Sequence, residues 1–594
     1  MRTLKIGKTD IKNFSIVLKC EPDPAEVTAA EFLQRVIKTS CGVQLNVTAD
    51  SVENGIYLGF RTPKDEVKFD GFKIAAEGAN LYLDGNIARG TLYAAYDFAE
   101  EFLGYRAFSF DCEVIPAEGD AEVPEGYEHI ENPVFELRHC DNRSFAHHRE
   151  FASLSRENGY GEAGDKFGGK AGTSEECHTF AALCPPAIYF DEHPEYYSLF
   201  EGKRIPSGND PTVIEGQLCL TNPDVLKIVT NNVLEKLRKE PNRRIVDVSQ
   251  NDNARYCQCE NCARVDAEEG SQAGTMIRFA NAVAESVEKE FPNVLIQTFA
   301  YQYSRKAPKI TKARHNVLVR YCTIEACFRH ALNDPNCKVN SGVFYSELTE
   351  WQKMADKLSI WDYICNYRCF VAPFPNLISL KENARFFADC HAFHLFEEDL
   401  QSTHSSAYGD LRAYLVGKLM WNPYMSDEEY ATHIVEFLKA YYGDGWKAVA
   451  EYIRLEHDTT QDFDMNCFEC ADIGSCFYTP YPNVWEYMIG EYLPKAYQAH
   501  HPETYLKGFI EHISKALALW DDAFELAQTP EQKSRAALGK LSVEYIDLFN
   551  TPHDKKTMTD EEKTAYEARV EAFFAAKEKY DLRYSIWTDR YNAR

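Results

Sequence analysis

Positive charge is scarce in this sequence. Its 64 lysines and arginines stand against 92 aspartates and glutamates, which gives a formal net charge of −28 over 594 residues. Binding to phosphates requires a basic surface, so this balance argues against nucleic acid or an anionic membrane as a partner. No apolar run reaches the roughly 18 residues that a transmembrane helix needs. We therefore expect neither a nucleic-acid partner nor a membrane-embedded segment.

Several catalytic and targeting signatures are also missing. The sequence contains no H-E-x-x-H, no G-x-S-x-G and no phosphate-binding glycine loop, so zinc protease, serine hydrolase and NTPase chemistry lack support. Its first twenty residues do not show the basic, apolar and small-residue regions of a secretory signal. The 19 cysteines are odd in number and many lie in strand-like apolar runs, which favours reduced thiols. These features predict a cytoplasmic protein; its oligomeric state, including a homo-oligomer, stays open.

The chain divides into three predicted units. Residues 1–130 combine strand-like segments with two amphipathic helices and predict a small α/β domain. Residues 131–425 alternate short apolar strands with amphipathic helices, and residues 426–594 contain long amphipathic helices only. The predicted fold class is therefore α/β, a (β/α)8-type TIM barrel between a small α/β domain and a helical domain. An open doubly wound sheet is the alternative, but the glycine-rich loop that would support it is absent.

The barrel prediction rests on particular strand and helix segments of the sequence. The strands are FELRHC, RRIVDVS, LIQTFAY, NVLVRYC, LSIWDY and AFHLFE. The helices between them include NPDVLKIVTNNVLEKLRK, TMIRFANAVAESVEKEF, SELTEWQKMADK and ISLKENARFFADC. Barrel enzymes keep their catalytic residues at the carboxyl ends of such strands, so acids at those ends are candidates.

The segment NVLVRYCTIEACF offers the first candidate acid. Glu325 follows the strand and lies among Ile324, Ala326, Cys327 and Phe328, apolar neighbours that would raise its pKa. Glycoside hydrolysis needs a protonated donor for the leaving oxygen, and a carboxyl group with a raised pKa supplies it. We predict Glu325 as the general acid. The alternative is a strand-end glutamate that forms an ion pair with Arg320 or Arg329.

Two further strand ends carry acids beside aromatic residues. Asp362 lies between Trp361 and Tyr363, whose rings could stack on a sugar while the acid contacts a hydroxyl or acetamido group; a buried, loop-capping Asp362 is the alternative. Glu397 and Glu398 are adjacent, and neighbouring residues of a strand face opposite sides, so at most one can face the barrel mouth. Glu398 is the third predicted catalytic residue. Three acids beside aromatic residues predict an oligosaccharide substrate.

Loops supply the predicted substrate-binding residues. The proline- and tyrosine-rich segment from His178 to Arg204 suits a rigid sugar platform, with both of these residues as ligands, although a purely structural loop is an equal alternative. Asn251 and Asp252 follow one strand and Tyr301 follows another, so each is a candidate to bind the substrate.

A cluster of cysteines is the one feature that suggests a metal. YCQCENC places Cys257, Cys259 and Cys262 at C-x-C-x-x-C spacing, but a closed zinc site needs a fourth ligand. CFEC, with Cys467 and Cys470, is available but falls among the C-terminal helices. We predict free thiols and no cofactor, with structural zinc as the alternative.

Taken together, several segments resemble a known protein family. IYLG, ARGTLYAAYDFAEEFLGYR, HTF…PP…YF…HPEYYSL…GKR, QLCLTNPDV, CQCENC, TIEACF, IWDYICNY and YLVGKLMWNP resemble a large bacterial family that was first catalogued as a domain of unknown function. Members of that family have been linked to endo-β-N-acetylglucosaminidase activity. The N-terminal unit also resembles the small domain that precedes the barrel in α-glucuronidases and β-hexosaminidases.

This resemblance implies a retaining glycosidase that acts on N-acetylglucosamine-containing glycans and uses the substrate's acetamido oxygen as nucleophile. In that scheme Glu325 protonates the glycosidic oxygen and Asp362 orients or polarises the acetamido group. An exo-acting α-glucuronidase-like enzyme is the alternative activity. A non-catalytic carbohydrate-binding protein is the alternative outside the enzymes.

Overall fold

The computed structural model describes residues 1–467, without residues 64, 163, 173–175, 211–212, 368 and 405–406, and then residues 507–550 and 557–583. Within this part of the chain, no helix is both long enough and apolar enough to cross a membrane.

The N-terminal part of the chain is built on a mixed six-stranded sheet. The strands in this part of the chain are β1 (Thr3–Ile6), β2 (Thr9–Asp10), β3 (Ser15–Val17), β4 (Asn46–Thr48), β5 (Gly55–Leu58), β6 (Phe72–Glu77), β7 (Asn80–Gly85), β8 (Arg106–Ser109), β9 (Cys112–Val114), β10 (Asp120–Val123) and β11 (Glu128–Glu131). The sheet has the order β11-β6-β7-β5-β3-β4, while β10-β1-β2 form a second sheet and β8-β9 a hairpin. Helices α1 (Pro24–Cys41) and α2 (Ala88–Phe102) bury their apolar faces in the same core.

Local sequence explains why α1 begins and ends where it does. The Asp23 side chain accepts a hydrogen bond from the backbone of the first turn, Pro24 occupies the first helical position, and Glu26 completes a capping box. At the other end Gly42 adopts φ 72°, a left-handed conformation that glycine adopts without strain.

The middle of the chain forms one curled, fully parallel sheet. The strands after residue 136 are β12 (Leu137–Cys140), the short hairpin strands β13 (Leu199–Phe200) and β14 (Lys203–Arg204), β15 (Ile245–Asp247), β16 (Leu295–Ala300), β17 (Val317–Cys322), β18 (Leu358–Tyr363) and β19 (Ala392–Glu398). Six of them pair in the order β12-β19-β18-β17-β16-β15, and these six are the strands that the sequence predicts. They are buried on both faces, which explains their continuous apolar runs.

Helices connect the strands of this sheet. They are α3 (Arg143–His147), α4 (Arg149–Leu154), α5 (Phe180–Leu183), α6 (Pro186–Tyr189), α7 (Pro223–Lys239), α8 (Glu260–Glu269), α9 (Ala273–Glu288), α10 (Tyr345–Met354) and α11 (Leu377–Asp389). The predicted helices NPDVLKIVTNNVLEKLRK, TMIRFANAVAESVEKEF, SELTEWQKMADK and ISLKENARFFADC correspond to α7, α9, α10 and α11.

The expectation of an eight-stranded closed barrel needs correction. In the described part of the chain the parallel sheet has six strands, and its edge strands β12 and β15 do not pair with each other. An irregular segment spans the gap instead. The backbone of Asn158 accepts from Ala171, the Asn158 side chain accepts from the Arg138 backbone on β12, and the Arg244 guanidinium next to β15 donates to Ala171. The observed architecture is a curled half-barrel.

Helices follow the sheet. They are α12 (Gly409–Trp421), α13 (Asp427–Tyr442), α14 (Trp446–Thr460), α15 (Lys507–Ile510), α16 (Ile513–Leu526), α17 (Pro530–Tyr545) and α18 (Asp560–Lys579). Helix α13 begins after Ser426 because the Ser426 hydroxyl accepts from the Glu429 backbone at 3.1 Å.

A buried ionic cluster joins the N-terminal sheet to β12. Asp70 lies 2.8 Å from the Arg89 guanidinium of α2 and 2.5 Å from that of Arg138, and Asn158 donates to it at 2.7 Å. Burial alone would raise the pKa of Asp70, but the two arginines outweigh it and hold that pKa well below its usual range.

Candidate active site

A cavity opens at the carboxyl ends of the central parallel strands. It has a volume of about 220 Å³, and such cavities are where parallel α/β folds bind their ligands. Its lining is aromatic with a few polar groups, and consists of His178, Asp252, Phe299, Tyr301, Cys322, Ile324, Trp361, Tyr363, Tyr367 and Glu398. Six of the residues that the sequence predicts for the site meet here: His178, Asp252, Tyr301, Trp361, Tyr363 and Glu398.

Strand alternation decides which of the two adjacent glutamates enters the cavity. Glu398 pairs in register with Tyr363, and Phe396 with Trp361, so these side chains share the inner face of β18 and β19. Glu397 pairs with Asp362 on the opposite face. Glu398 lines the cavity and Glu397 does not, in agreement with the prediction that only one of them can.

The surroundings of Glu398 favour its protonated form. Burial raises the pKa of its carboxyl group to about 7, although the Trp361 indole opposes this shift by donating to Oε2 at 2.5 Å. The buried Arg320 guanidinium packs against the Trp361 ring, 4.8 Å from its centroid, and helps to hold the ring in place. A carboxyl group that is half protonated near neutral pH can both donate and accept a proton.

The opposite side of the cavity carries a second acid and a histidine. The Tyr301 hydroxyl donates to Oδ1 of Asp252 at 3.1 Å, and Gln302 Nε2 donates to the same oxygen at 3.2 Å. His178 Nδ1 lies 2.7 Å from the Gln250 carbonyl; because a carbonyl only accepts, Nδ1 carries a proton and Nε2 is the acceptor of the neutral ring. His178 adopts φ 56°, a strained conformation for a residue other than glycine.

Asp362 is buried on the other face of its strand. Its Oδ1 accepts from the Thr323 hydroxyl at 2.5 Å, and burial raises its pKa to about 7. Glu397 is its neighbour across the strand pair, and burial together with the Asp362 charge raises the Glu397 pKa well above its usual value. Because Trp361 and Tyr363 line the cavity, the intervening Asp362 faces away from it, as the alternative of a structural aspartate predicts.

Glu325 is likewise held outside the cavity. Its side chain is fully buried and lies 2.8 Å from the Arg305 guanidinium, which also pairs with Glu347 at 2.7 Å. Burial raises the pKa of Glu325, as the sequence predicts, while Arg305 opposes that shift. Glu325 is therefore an ion-paired glutamate after the strand end, which is the alternative to the general acid, and its partner is Arg305 in place of Arg320 or Arg329.

Two residues that the sequence predicts to bind the substrate form hydrogen bonds within the loops instead. Asn251 is fully buried and donates to Ser207 and to the Gly216 carbonyl. Arg204 donates to the Tyr197 carbonyl at 2.6 Å and lies 3.8 Å from the Cys257 sulfur. Neither residue lines the cavity.

The sequence-based interpretation missed four lining residues, namely Phe299, Cys322, Ile324 and Tyr367. Phe299 precedes Tyr301 by two positions on β16, so strand alternation from Tyr301 could have identified it. Cys322 is the last residue of β17 and follows the same rule, whereas Ile324 lies in the loop after that strand. Tyr367 lies in an irregular segment after β18, and no pattern in the sequence signals it.

The predicted cysteine trio acquires a fourth member. The thiol sulfurs of Cys219, Cys257, Cys259 and Cys262 all lie within 4.8 Å of one another. The CFEC segment does not supply the fourth thiol, because the Cys467 sulfur lies 3.3 Å from the Ile324 carbonyl, elsewhere in the molecule. Cys470 lies outside the described residues.

Residues 107–454 match the model of DUF4838, a domain of unknown function. The chain belongs to the DUF4838 family. The matched residues include all of those that line the cavity. The match identifies the family that the sequence resembles, while a link to endo-β-N-acetylglucosaminidases does not follow from it. No curated protein matches this DUF4838 chain.

Solved structures similar to this DUF4838 chain are glycoside hydrolases. A family GH115 4-O-methyl-α-glucuronidase with specificity for decorated arabinogalactans aligns with a TM-score of 0.55 at 11% identity, covering 96% of this chain and 76% of its own. A mutant Streptomyces plicatus β-hexosaminidase in complex with N-acetylglucosamine aligns with a TM-score of 0.40 at 14% identity, covering 74% of this chain and 91% of its own. The first of these likenesses shows a shared fold.

Proposed function

We propose that this protein is a glycoside hydrolase that acts on N-acetylglucosamine-containing oligosaccharides, with Glu398 as the general acid. The observation that carries the proposal is the Glu398 carboxyl group, whose pKa is raised to about 7 inside a cavity walled by Trp361, Tyr363 and Tyr367. Aromatic faces bind the apolar faces of sugar rings, and a carboxyl group protonated near neutral pH is the donor that glycosidic cleavage requires.

The proposed reaction is retaining and assisted by the substrate. The Glu398 proton passes to the glycosidic oxygen as the bond from C1 to that oxygen breaks, and the acetamido oxygen of the same sugar forms a bond to C1. Water then attacks C1, the bond from C1 to the acetamido oxygen breaks so that the acetamido group is restored, and the water gives its proton to the Glu398 carboxylate; two inversions at C1 retain the anomeric configuration. Asp252, oriented by Tyr301, takes the role of polarising the acetamido group, because Asp362 faces away from the cavity.

An α-glucuronidase-like activity is the second candidate. It draws support from the GH115 4-O-methyl-α-glucuronidase, which shares the fold. A uronic acid carries a carboxylate, which arginine or lysine would recognise. No arginine or lysine occurs among the described residues that line the cavity, whereas two acidic residues, Asp252 and Glu398, line it. The lining therefore favours an uncharged sugar.

A substrate panel tests the proposal. The wild-type protein is assayed with an aryl N-acetyl-β-glucosaminide, released N-glycans and an aryl α-glucuronide, and products are identified by mass spectrometry. We expect release of N-acetylglucosamine-containing products, and a loss of about 10²–10⁴-fold in kcat/KM in Glu398→Gln, the range for removing a general acid.

Glu397→Gln is the matched control. It changes the same residue type one position away, on the opposite face of the strand, at a side chain that does not line the cavity. It should retain activity within a few-fold. Turnover of the glucuronide alone would replace the proposed substrate class, and sugar binding without turnover of any substrate would favour a non-catalytic carbohydrate-binding protein.

A further inference from the structure

Four cysteines from two distant parts of the sequence converge beside the cavity-bearing sheet. Cys219 lies just before α7, Cys257 and Cys259 lie just before α8, and Cys262 lies in the first turn of α8. The Cys219 sulfur lies 3.7 Å from that of Cys259 and 3.9 Å from that of Cys262. In a tetrahedral site with Zn–S bonds of about 2.3 Å, neighbouring sulfurs lie about 3.8 Å apart. The observed separations therefore match the edges of a zinc tetrahedron, and they exceed the roughly 2.05 Å of a disulfide bond.

The surroundings of these thiols suit thiolates. The Leu199 backbone donates to the Cys257 sulfur at 3.4 Å, and the Arg204 guanidinium lies 3.8 Å from the same atom. The Thr221 hydroxyl lies 3.2 Å from the Cys262 sulfur. Cys259 is the N-cap of α8, where the helix dipole favours negative charge. Donors placed around the ligands in this way are typical of a metal site.

A second group, independent of the first, joins the loop after β17 to the segment after α14. It consists of Cys327, His330, Cys337 and Asp464, whose ligand atoms lie within 4.8 Å of one another. His330 Nδ1 lies 3.3 Å from the Cys327 sulfur and 3.3 Å from Oδ1 of Asp464, and the Cys337 sulfur lies 3.4 Å from that same oxygen. Zinc bonded to sulfur, nitrogen and oxygen at its usual distances gives edges of about 3.3–3.6 Å.

The hydrogen bonding of His330 supports ligation. Its Nε2 lies 2.8 Å from the Gln461 carbonyl, which can only accept, so Nε2 is the donor to that carbonyl and Nδ1 is the ring nitrogen that faces Cys327 and Asp464. A histidine ligand whose second nitrogen donates to a backbone carbonyl is the usual arrangement in zinc sites. The Met465 backbone also donates to the Cys327 sulfur at 3.3 Å.

We propose that the protein holds two structural zinc ions, one bound by Cys219, Cys257, Cys259 and Cys262 and the other by Cys327, His330, Cys337 and Asp464. Each set offers four protein ligands, which closes the coordination sphere and indicates a structural role. The first ion holds the segment of chain that follows Asp252. The second ion holds the segment that contains Cys467, whose carbonyl accepts a hydrogen bond from the Tyr367 backbone. Both ions therefore support walls of the cavity.

Metal content of the full chain, purified without a histidine tag, tests the proposal. Elemental analysis by mass spectrometry should find two zinc ions per chain. Cys219→Ala combined with Cys259→Ala should retain one, Cys337→Ala combined with Asp464→Ala should retain one, and the control Cys390→Ala, at a buried cysteine outside both groups, should retain two. Metal content no higher than that of the buffer overturns the proposal, and iron in place of zinc overturns the choice of metal.

A measurement on the wild-type protein covers the case in which a variant does not fold. Titration with an organomercurial should release two zinc ions per chain, measured with a zinc-sensitive dye. If the cysteines were instead free or paired in disulfides, no zinc would be released, and thiol counts in denaturant before and after reduction would tell these two states apart. If the wild-type protein releases only one zinc ion per chain, the proposal is overturned for the site whose variant keeps the zinc content of the wild type.

Discussion

The indole of Trp361 donates to Oε2 of Glu398 at 2.5 Å, across two neighbouring strands of the parallel sheet. This bond stabilises the carboxylate form, while burial stabilises the neutral form, and burial prevails because the pKa is raised to about 7. Glu398 is thereby kept between its two protonation states at neutral pH.

The activity of the wild-type enzyme should decline as the pH rises above about 7. The general acid works only when protonated, and Glu398 loses its proton through a pKa of about 7, so kcat/KM should fall tenfold per pH unit on the alkaline side. In Glu398→Gln this alkaline limb should be absent. A limb that persists in the variant would assign it to another group.

Trp361→Phe should move the alkaline limb to higher pH. The variant keeps a ring in the cavity wall and loses the hydrogen bond to Glu398, so the carboxylate form loses about 1.5–3 kcal/mol and the pKa rises by about one to two units. The pH profile of kcat/KM measures the shift. A limb that stays in place or moves to lower pH would show that the indole does not hold the carboxylate.

Glu325→Gln should reduce stability without removing the alkaline limb. The substitution removes the ion pair between Glu325 and Arg305 and leaves the pair between Arg305 and Glu347 in place. The loss of a hydrogen bond to a charged group costs about 1.5–3 kcal/mol. Thermal unfolding and the pH profile measure the two effects. If Glu325 were the proton donor, the limb would disappear in this variant and remain in Glu398→Gln.

Asp70→Asn should destabilise the protein by about 3–5 kcal/mol, because two buried guanidinium groups lose their charged partner. The pKa of Asp70 is held below its usual range in the folded state, so its contribution is complete above the unfolded pKa of about 3.9 and is lost as the pH falls further. The difference in unfolding midpoint between wild type and variant should therefore shrink below about pH 4. The exposed Asp65→Asn is the control, and an equal effect there would contradict the role of the cluster.

Sequence periodicity was sufficient to predict the strands but not the closure of the barrel. Runs such as NVLVRYC are apolar on both faces, which is typical of buried parallel strands. The link between β12 and β15 depends on irregular backbone around Gly159, Gly161 and Gly168, and such a segment has no period that a sequence could reveal.

The same physical distinction separates the site residues that could be predicted from those that could not. Glu398, Trp361 and Tyr363 lie within strands, where alternation fixes the direction of each side chain. Glu325 lies three residues beyond β17, where alternation no longer applies, and its partner Arg305 comes from the loop after a different strand. Cys219 likewise precedes Cys257 by a long stretch of chain, so no local spacing identifies it.

The most direct test of Glu398 as general acid compares leaving groups. Aryl N-acetyl-β-glucosaminides with increasingly acidic phenols need progressively less protonation of the departing oxygen. Activity of Glu398→Gln should be close to that of wild type with the most acidic phenol and about 10²–10⁴-fold lower with the least acidic, while Glu397→Gln follows wild type throughout. An equal loss in Glu398→Gln with every leaving group, or the same dependence in Glu397→Gln, would contradict the account.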